Sequence, residues 1–165
     1  MELRIKESQR FGGKYTVKQR GEGVVYQANG SIVALGKRFV LKNKNGKKIS
    51  TIKQTLNPFR SAERVSVTMA NGDQFVLKDE FRISFHRHFV IPKTNLSVSY
   101  DGGMDGSYRI YRFEKEIGRV HRDRVYKTFG DSKNLNTMIV TVDDLSEKDL
   151  IVALAIGMDY IADIH

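Results

Sequence analysis

The stretch that decides the fold is Leu150-Ile-Val-Ala-Leu-Ala-Ile-Gly-Met-Asp-Tyr-Ile-Ala162. No proline interrupts it, and at about 100° per residue its apolar side chains cover nearly the whole circumference of a helix. A helix apolar all round either crosses a membrane or is surrounded by protein. These 13 residues rise about 20 Å, against about 30 Å of hydrocarbon in a bilayer, so the protein must surround them. Just upstream, Ser146-Glu-Lys-Asp149 has the form of a capping box with Asp149 in the place of Glu or Gln, which predicts a helix beginning at Ser146. Glu147 and Asp149 also put negative charge where the helix dipole favours it. Ala153 and Gly157, four residues apart, would let one wall approach the helix closely. Asp159, with Ala155, Ala162 and Asp163, marks the least hydrophobic stripe. That stripe is expected to reach water at the C-terminal end, because an unpaired buried carboxylate is too costly.

The surrounding material has to come from residues 1–142, and these read as short strands. Segments 14–17, 24–28 and 38–41 are rich in Val, Tyr, Phe, Thr and Ile and are separated by Gly and Asn turn signals. Three stretches look like variants of one hairpin. Residues 38–43 and 49–54 flank Asn45-Gly46, residues 64–69 and 74–78 flank Asn71-Gly72, and residues 108–113 and 117–121 flank Glu114-Lys115. Asn-Gly between alternating runs predicts a two-residue type I′ turn. Repetition of this unit argues for an antiparallel meander of about twelve strands. About eight strands fill a barrel with side chains alone, whereas about twelve leave room for a helix about 10 Å across. Strands of about six residues are about 20 Å long, as long as the apolar run. A barrel closed on the helix and a helix between two sheets both satisfy this pattern.

Composition narrows the function classes. The chain has 165 residues, the size of a single domain spanning 1–165. It contains no cysteine, which excludes disulfides, thiolate chemistry and cysteine-ligated zinc. The N-terminus, Met-Glu-Leu-Arg-Ile-Lys, has no apolar core of a signal peptide, so the expected location is cytoplasmic. Twenty-eight basic residues against 19 acidic ones give a net charge of +9, a surface that attracts polyanions.

With the hairpin order and the terminal helix in view, the chain resembles the LURP-one-related family of the Tubby C-terminal-like superfamily. The resemblance rests on Phe11-Gly-Gly-Lys-Tyr-Thr-Val17, Leu35-Gly-Lys-Arg-Phe-Val-Leu41, Asn43-Lys-Asn-Gly46, Leu96-Ser-Val-Ser-Tyr-Asp-Gly102 and the 150–162 helix. It implies a twelve-stranded antiparallel β-barrel around a central hydrophobic C-terminal α-helix. Such families typically carry Asp- or Glu-Asn-Gly turns where this chain has Glu114-Lys115. The superfamily includes phosphoinositide-binding domains and phospholipid scramblases, so the resemblance also implies a phospholipid-binding role, but no headgroup motif can be carried over residue by residue.

Catalysis finds no support in the motifs. There is no G-x-S-x-G elbow and no P-loop, and Gly21-Glu-Gly23 is a turn. No enzymatic activity and no cofactor are expected. His86-Arg-His88 offers two imidazoles at strand spacing, with His121 and His165 elsewhere, short of a metal-ligand set, and no metal is expected. Asp101-Gly-Gly-Met-Asp-Gly106 lacks the oxygen ligands of a calcium loop and reads as a turn. Asn29-Gly-Ser31 and Asn95-Leu-Ser97 match the glycosylation sequon, which matters only in a secreted chain. The basic residues carry more. Lys37, Arg38 and Lys42 crowd the first hairpin, and Arg109, Arg112, Arg119, Arg122 and Arg124 the last. If the two hairpins are neighbours, these side chains form an anion- and phosphate-binding surface. The partner expected is an anionic lipid headgroup at the face of a membrane, without a transmembrane segment. Nucleic acid is the second reading, because Phe39, Tyr108, Tyr111, Phe113 and Tyr126 interleave with the basic residues. A protein-interaction scaffold is the third.

Overall fold

A computed structural model describes residues 1–8, 13–33, 36–55, 64–80, 88–101, 107–122 and 137–162. Twelve strands form one antiparallel sheet in the order β8-β7-β6-β5-β4-β3-β2-β1-β12-β11-β10-β9. In chain order they are β1 (Glu2–Glu7), β2 (Lys14–Gln19), β3 (Gly23–Val33), β4 (Gly36–Asn43), β5 (Lys48–Thr55), β6 (Arg64–Met69), β7 (Gln74–Glu80), β8 (His88–Val90), β9 (Leu96–Tyr100), β10 (Tyr108–Arg112), β11 (Lys115–Arg122) and β12 (Thr137–Val142). Each strand pairs with its neighbour in sequence except at two places. Strand β1 pairs with β12, which curls the meander back on itself. The edges of β8 and β9 come side by side without a ladder, so the barrel is nearly closed. The ring of Phe89 on β8 lies 5.1 Å from that of Tyr108 on β10, spanning the seam.

Helix α1 (Lys148–Ala162) fills the interior. Ile151, Val152, Ala153, Leu154, Ala155, Ile156 and Ile161 are wholly inaccessible. They face the inward residues of the strands, among them Leu3, Ile5, Val17, Leu41, Ile52, Val65, Leu77, Ile110 and Val140. The alternation of buried and exposed positions along β1 and β2 is the period-2 pattern of a half-buried strand. Of the two arrangements the sequence allowed, the barrel is the one formed. Gly157 sits against β6 and β7, where a Cβ would lie 3.4 Å from Val65 Cγ1. This is an ordinary contact distance, so the wall leaves room for a methyl group and the packing does not require the small residue there.

Three local expectations need correction. In the first two hairpins only glycine takes positive φ, at Gly46 (+77°) and Gly72 (+97°). The loops have three residues, closed by Asn43 N–H donating to Lys47 O and Met69 N–H to Asp73 O. This is the three-residue loop with a left-handed glycine, not the two-residue type I′ turn. In the first of them the Asn43 side chain accepts the N–H groups of Asn45 and Lys47 and so holds the wider loop. The third hairpin turns at Phe113-Glu114, one residue earlier than expected, with Arg112 opposite Lys115. Both turn residues are left-handed (φ +48° and +65°), so the two-residue turn occurs where neither residue is glycine.

The helix start also differs. A 3-10 turn (Leu145–Glu147) precedes α1, and its cap is Asp144, which accepts from Ser146 N–H at 3.1 Å and Ser146 Oγ at 2.6 Å. Asp149 does not reach back to Ser146. It accepts from the Tyr26 hydroxyl at 2.5 Å.

Candidate functional site

The barrel has two unlike ends. At the helix N-terminus the strands are joined by short turns. Arg112 Nη2 donates to Glu147 Oε2 at 2.9 Å, Lys115 Nζ to Asp144 Oδ2 at 3.2 Å and Lys148 Nζ to Gln19 Oε1 at 3.2 Å. Burial and the adjacent Asp149 carboxylate push the Tyr26 phenol well above its ordinary range. At the other end Asp159 is 5% exposed. It accepts from Arg122 Nη2 at 2.9 Å and from Tyr15 Oη at 3.2 Å. The stripe expected to reach water therefore does not do so at Ala155 or Asp159, because the carboxylate is paired and so tolerates burial. Ala162 and Asp163 lie outside the described side chains. Tyr160 Oη donates to buried Gln54 at 2.6 Å, and Lys37 Nζ lies 5.8 Å from the Tyr160 ring.

The eight basic residues singled out in the sequence fall into three groups. Arg112, Arg122 and Lys37 serve the two ends of the helix. Arg109 and Arg119 point outward from β10 and β11 but meet carboxylates. Arg109 contacts Asp101 at 2.7 Å and Glu116 at 3.5 Å, and Arg119 contacts Glu116 at 3.1 Å. The hydrogen bond to Asp101 holds the Arg109 guanidinium above its ordinary range. Arg38 and Lys42 project from β4 into solvent. Arg124 lies outside the described residues. The two basic hairpins are not neighbours, since β3, β2, β1 and β12 separate β4 from β11.

The first hairpin instead belongs to a larger wall. On the outward faces of β1 to β7 the described side chains include ten basic ones: Arg4, Lys6, Lys14, Lys18, Arg38, Lys42, Lys48, Lys53, Arg64 and Lys78. Glu2 is the single carboxylate among them, 3.8 Å from Arg4. Four pairs of like charge stand directly opposite one another across strands: Arg4 with Lys18, Arg38 with Lys53, Lys42 with Lys48 and Arg64 with Lys78. Like charges at such positions destabilise a sheet. Between them lie Thr16, Gln27, Asn29, Ser31, Val40, Thr51, Ser66, Thr68, Gln74 and Val76, so no aromatic ring stands on this wall among the described residues. The interleaved aromatics lie elsewhere. Phe39 is buried between the Tyr15 and Tyr160 rings, Tyr108 packs on Phe89 and Tyr100, Tyr111 is half-buried on β10, and Phe113 is exposed at its turn. Tyr126 lies outside the described residues.

The other motifs are structural where they are seen. Asp101 pairs with Arg109, and the rest of its glycine-rich loop, 102–106, lies outside the described residues. His88 is half-buried on β8, His121 is half-buried on β11, and His86 and His165 lie outside the described residues. Among the described residues no three His, Asp or Glu side chains converge as a metal site. No described helix is long and apolar enough to cross a membrane.

A meander of twelve antiparallel strands wound round one mostly apolar helix defines a class of barrel in which the helix and the inward strand residues together form the hydrophobic core. The family model for LURP-one-related proteins matches residues 1–159, and the chain belongs to that family. Its backbone is similar to that of a protein from Arabidopsis thaliana known from an X-ray structure. The TM-score is 0.53 with 10% sequence identity, over 96% of this chain and 91% of the other. That likeness shows the shared fold. No curated protein matches the chain.

Proposed function

We propose that residues 1–165 act as one non-enzymatic binding domain that associates peripherally with anionic phospholipid surfaces in the cytoplasm. One observation carries this reading: among the described side chains, ten outward basic ones on β1 to β7 face a single carboxylate, and eight of the ten stand in like-charge pairs across strands. A surface that keeps such pairs gives up sheet stability and regains it when anions screen them. Seven strands at about 4.8 Å spacing measure about 29 Å along the curve of the barrel, about half its circumference, so several of these cations meet headgroups at one time. Each cation held near an anionic leaflet contributes about 1 kcal/mol. The outward face of β10 and β11 is a weaker candidate, because Asp101 and Glu116 already answer Arg109 and Arg119.

The decisive measurement is co-sedimentation with vesicles of neutral lipid and with vesicles containing phosphatidylserine, across a salt series. Recovery is expected on the acidic vesicles only and should fall as salt shortens the screening length. Arg38→Glu with Lys53→Glu should reduce it several-fold, and Arg109→Gln should change it little. Equal recovery on both vesicle types would sink the reading. Nucleic acid is the competing polyanion, but stacking on single strands needs aromatic platforms, and this wall has none among its described residues. Gel shifts on oligonucleotides that outcompete acidic vesicles at matched salt would move the assignment to nucleic acid.

A further inference from the structure

A cleft at the edge of this wall is shaped as a site. The open cleft at the end of the β1–β2 hairpin has a volume of ≈ 460 Å³ and is lined by Glu2, Arg4, Lys18, Gln19 and Arg20, a size within the range of ligand sites. None of its three cations stands among the basic residues that the sequence singled out. The register sets Arg4 directly opposite Lys18, and Arg20 follows in the turn. The carboxylates nearby do little to neutralise them. Glu2 approaches Arg4 only to 3.8 Å, with the two side chains 49% and 63% exposed. Glu22 accepts from Gln19 Nε2 at 2.7 Å. Glu22 keeps its charge but lies outside the lining, which holds three positive charges against one negative.

We infer that this cleft binds a phosphomonoester dianion, Arg4 and Arg20 forking onto its oxygens and Lys18 adding a point charge. A phosphate dianion matches the surplus of two charges, and its three terminal oxygens can accept from three donors at once. The inference deepens the membrane reading and rests on it only for the source of the phosphate, a lipid headgroup or a free phosphate ester. The rest of the wall attracts anions diffusely, whereas the cleft selects a terminal phosphate.

The test titrates inorganic phosphate at constant ionic strength into the isotopically labelled protein and follows backbone amide resonances. Saturable shifts confined to residues near Arg4, Lys18 and Arg20 are expected. Lys18→Gln and Arg20→Gln should each weaken binding about tenfold. Lys93→Asn removes the same charge elsewhere, at a position of positive φ (+62°) that asparagine tolerates, and should leave binding unchanged. Shifts that rise linearly, or spread evenly over β1 to β7, would overturn the cleft without touching the membrane reading, as would retention of full affinity in Lys18→Gln. Vesicles of phosphatidic acid and phosphatidylglycerol at matched charge separate the sources. A preference for phosphatidic acid that Lys18→Gln abolishes assigns the cleft to a headgroup. Saturable binding of phosphate by a protein that ignores all vesicles assigns it to a free ester and removes the membrane reading alone.

Discussion

Adding one methyl group at each of two glycines is expected to move stability in opposite directions. Gly118 lies in β11, where an added Cβ would sit 2.7 Å from the Thr141 carbonyl oxygen and 3.0 Å from Ile151 Cδ1. Carbon and carbonyl oxygen normally keep about 3.3 Å or more apart, so the substitution must push β11 away from β12 or from the helix by about 0.6 Å. The obstructing atom is backbone in a ladder that runs from Gly118 opposite Val142 to Arg122 opposite Met138, and it cannot swing aside. Overpacking of this kind costs about 1–3 kcal/mol, offset by about 0.4–1 kcal/mol from the stiffer unfolded chain. Gly118→Ala should therefore lose about 1–2 kcal/mol, lowering the melting midpoint by about 2–8 °C for a chain of this size.

Gly157 is the contrast. Its added Cβ would meet Val65 Cγ1 at 3.4 Å and Leu77 Cδ2 at 3.6 Å, both at side-chain ends. The helix interior gains about 0.8–1 kcal/mol from alanine over glycine. Gly157→Ala should then gain about 0.5 kcal/mol. Thermal and urea unfolding followed by circular dichroism, with equal m-values as the check on comparable unfolded states, measures both. A Gly118→Ala protein at or above the wild-type midpoint, or a Gly157→Ala protein that falls as far as its counterpart, refutes the reasoning about which wall touches what.

Two further outcomes follow from the polar contacts at the helix ends. Tyr15→Phe should cost about 1 kcal/mol and Asp159→Leu about 2–4 kcal/mol, the latter because Arg122 and the buried phenol lose their acceptor; a double-mutant cycle in urea should give a coupling of about 1 kcal/mol, and strict additivity would show that the Tyr15–Asp159 bond contributes nothing. At the other end, hydrogen bonds from the Ser146 hydroxyl, from Lys115 and from the Ser146 N–H hold the Asp144 carboxyl below its ordinary value of 3.8. A folded-state value lower than the unfolded one contributes stability above the ordinary value and loses it as pH falls through the lowered one. Asp144→Ala should accordingly melt below wild type at neutral pH, with the gap narrowing as the pH drops below 3.8; a gap that stays constant down to about pH 2 would mean the charge plays no part in the cap.

How much of this was legible depends on whether the signal is local. The helix declared itself because residues 150–162 have no polar face, and no open position on a protein surface accepts that. The first two hairpins were visible from Asn-Gly between alternating runs, although the loops proved one residue longer, because the Asn43 side chain bonds into the first of them. The third turn was displaced because Phe113 and Glu114 adopt left-handed backbone that neither residue type advertises. The cap moved to Asp144 for a related reason. A carboxylate two residues before Ser146 can take both its N–H and its hydroxyl, and a sequence pattern does not rank competing acceptors.

Charge was harder, because neutralisation is a property of neighbours in space. Arg109 and Arg38 look alike in sequence, yet register and folding bring Asp101 and Glu116 to the first and set Lys53 opposite the second. One signal was available. Arg4 and Lys6, Lys14 and Lys18, Arg38 and Lys42 recur at even spacing in strands whose alternate residues are apolar, and even spacing in a strand means one face. Counting charge per strand face, with acids subtracted only from the same face, would have separated β1–β7 from β9–β11 before any coordinates. The same count places the cleft: Arg4 and Lys18 each sit on the outward parity of adjacent strands joined by one short connection, so a one-residue slip of either strand would turn its cation inward and leave no site at all. The register is fixed by Leu3, Ile5, Tyr15 and Val17, all buried against the core, so the apolar contacts that hold the barrel are also what assemble its cationic face.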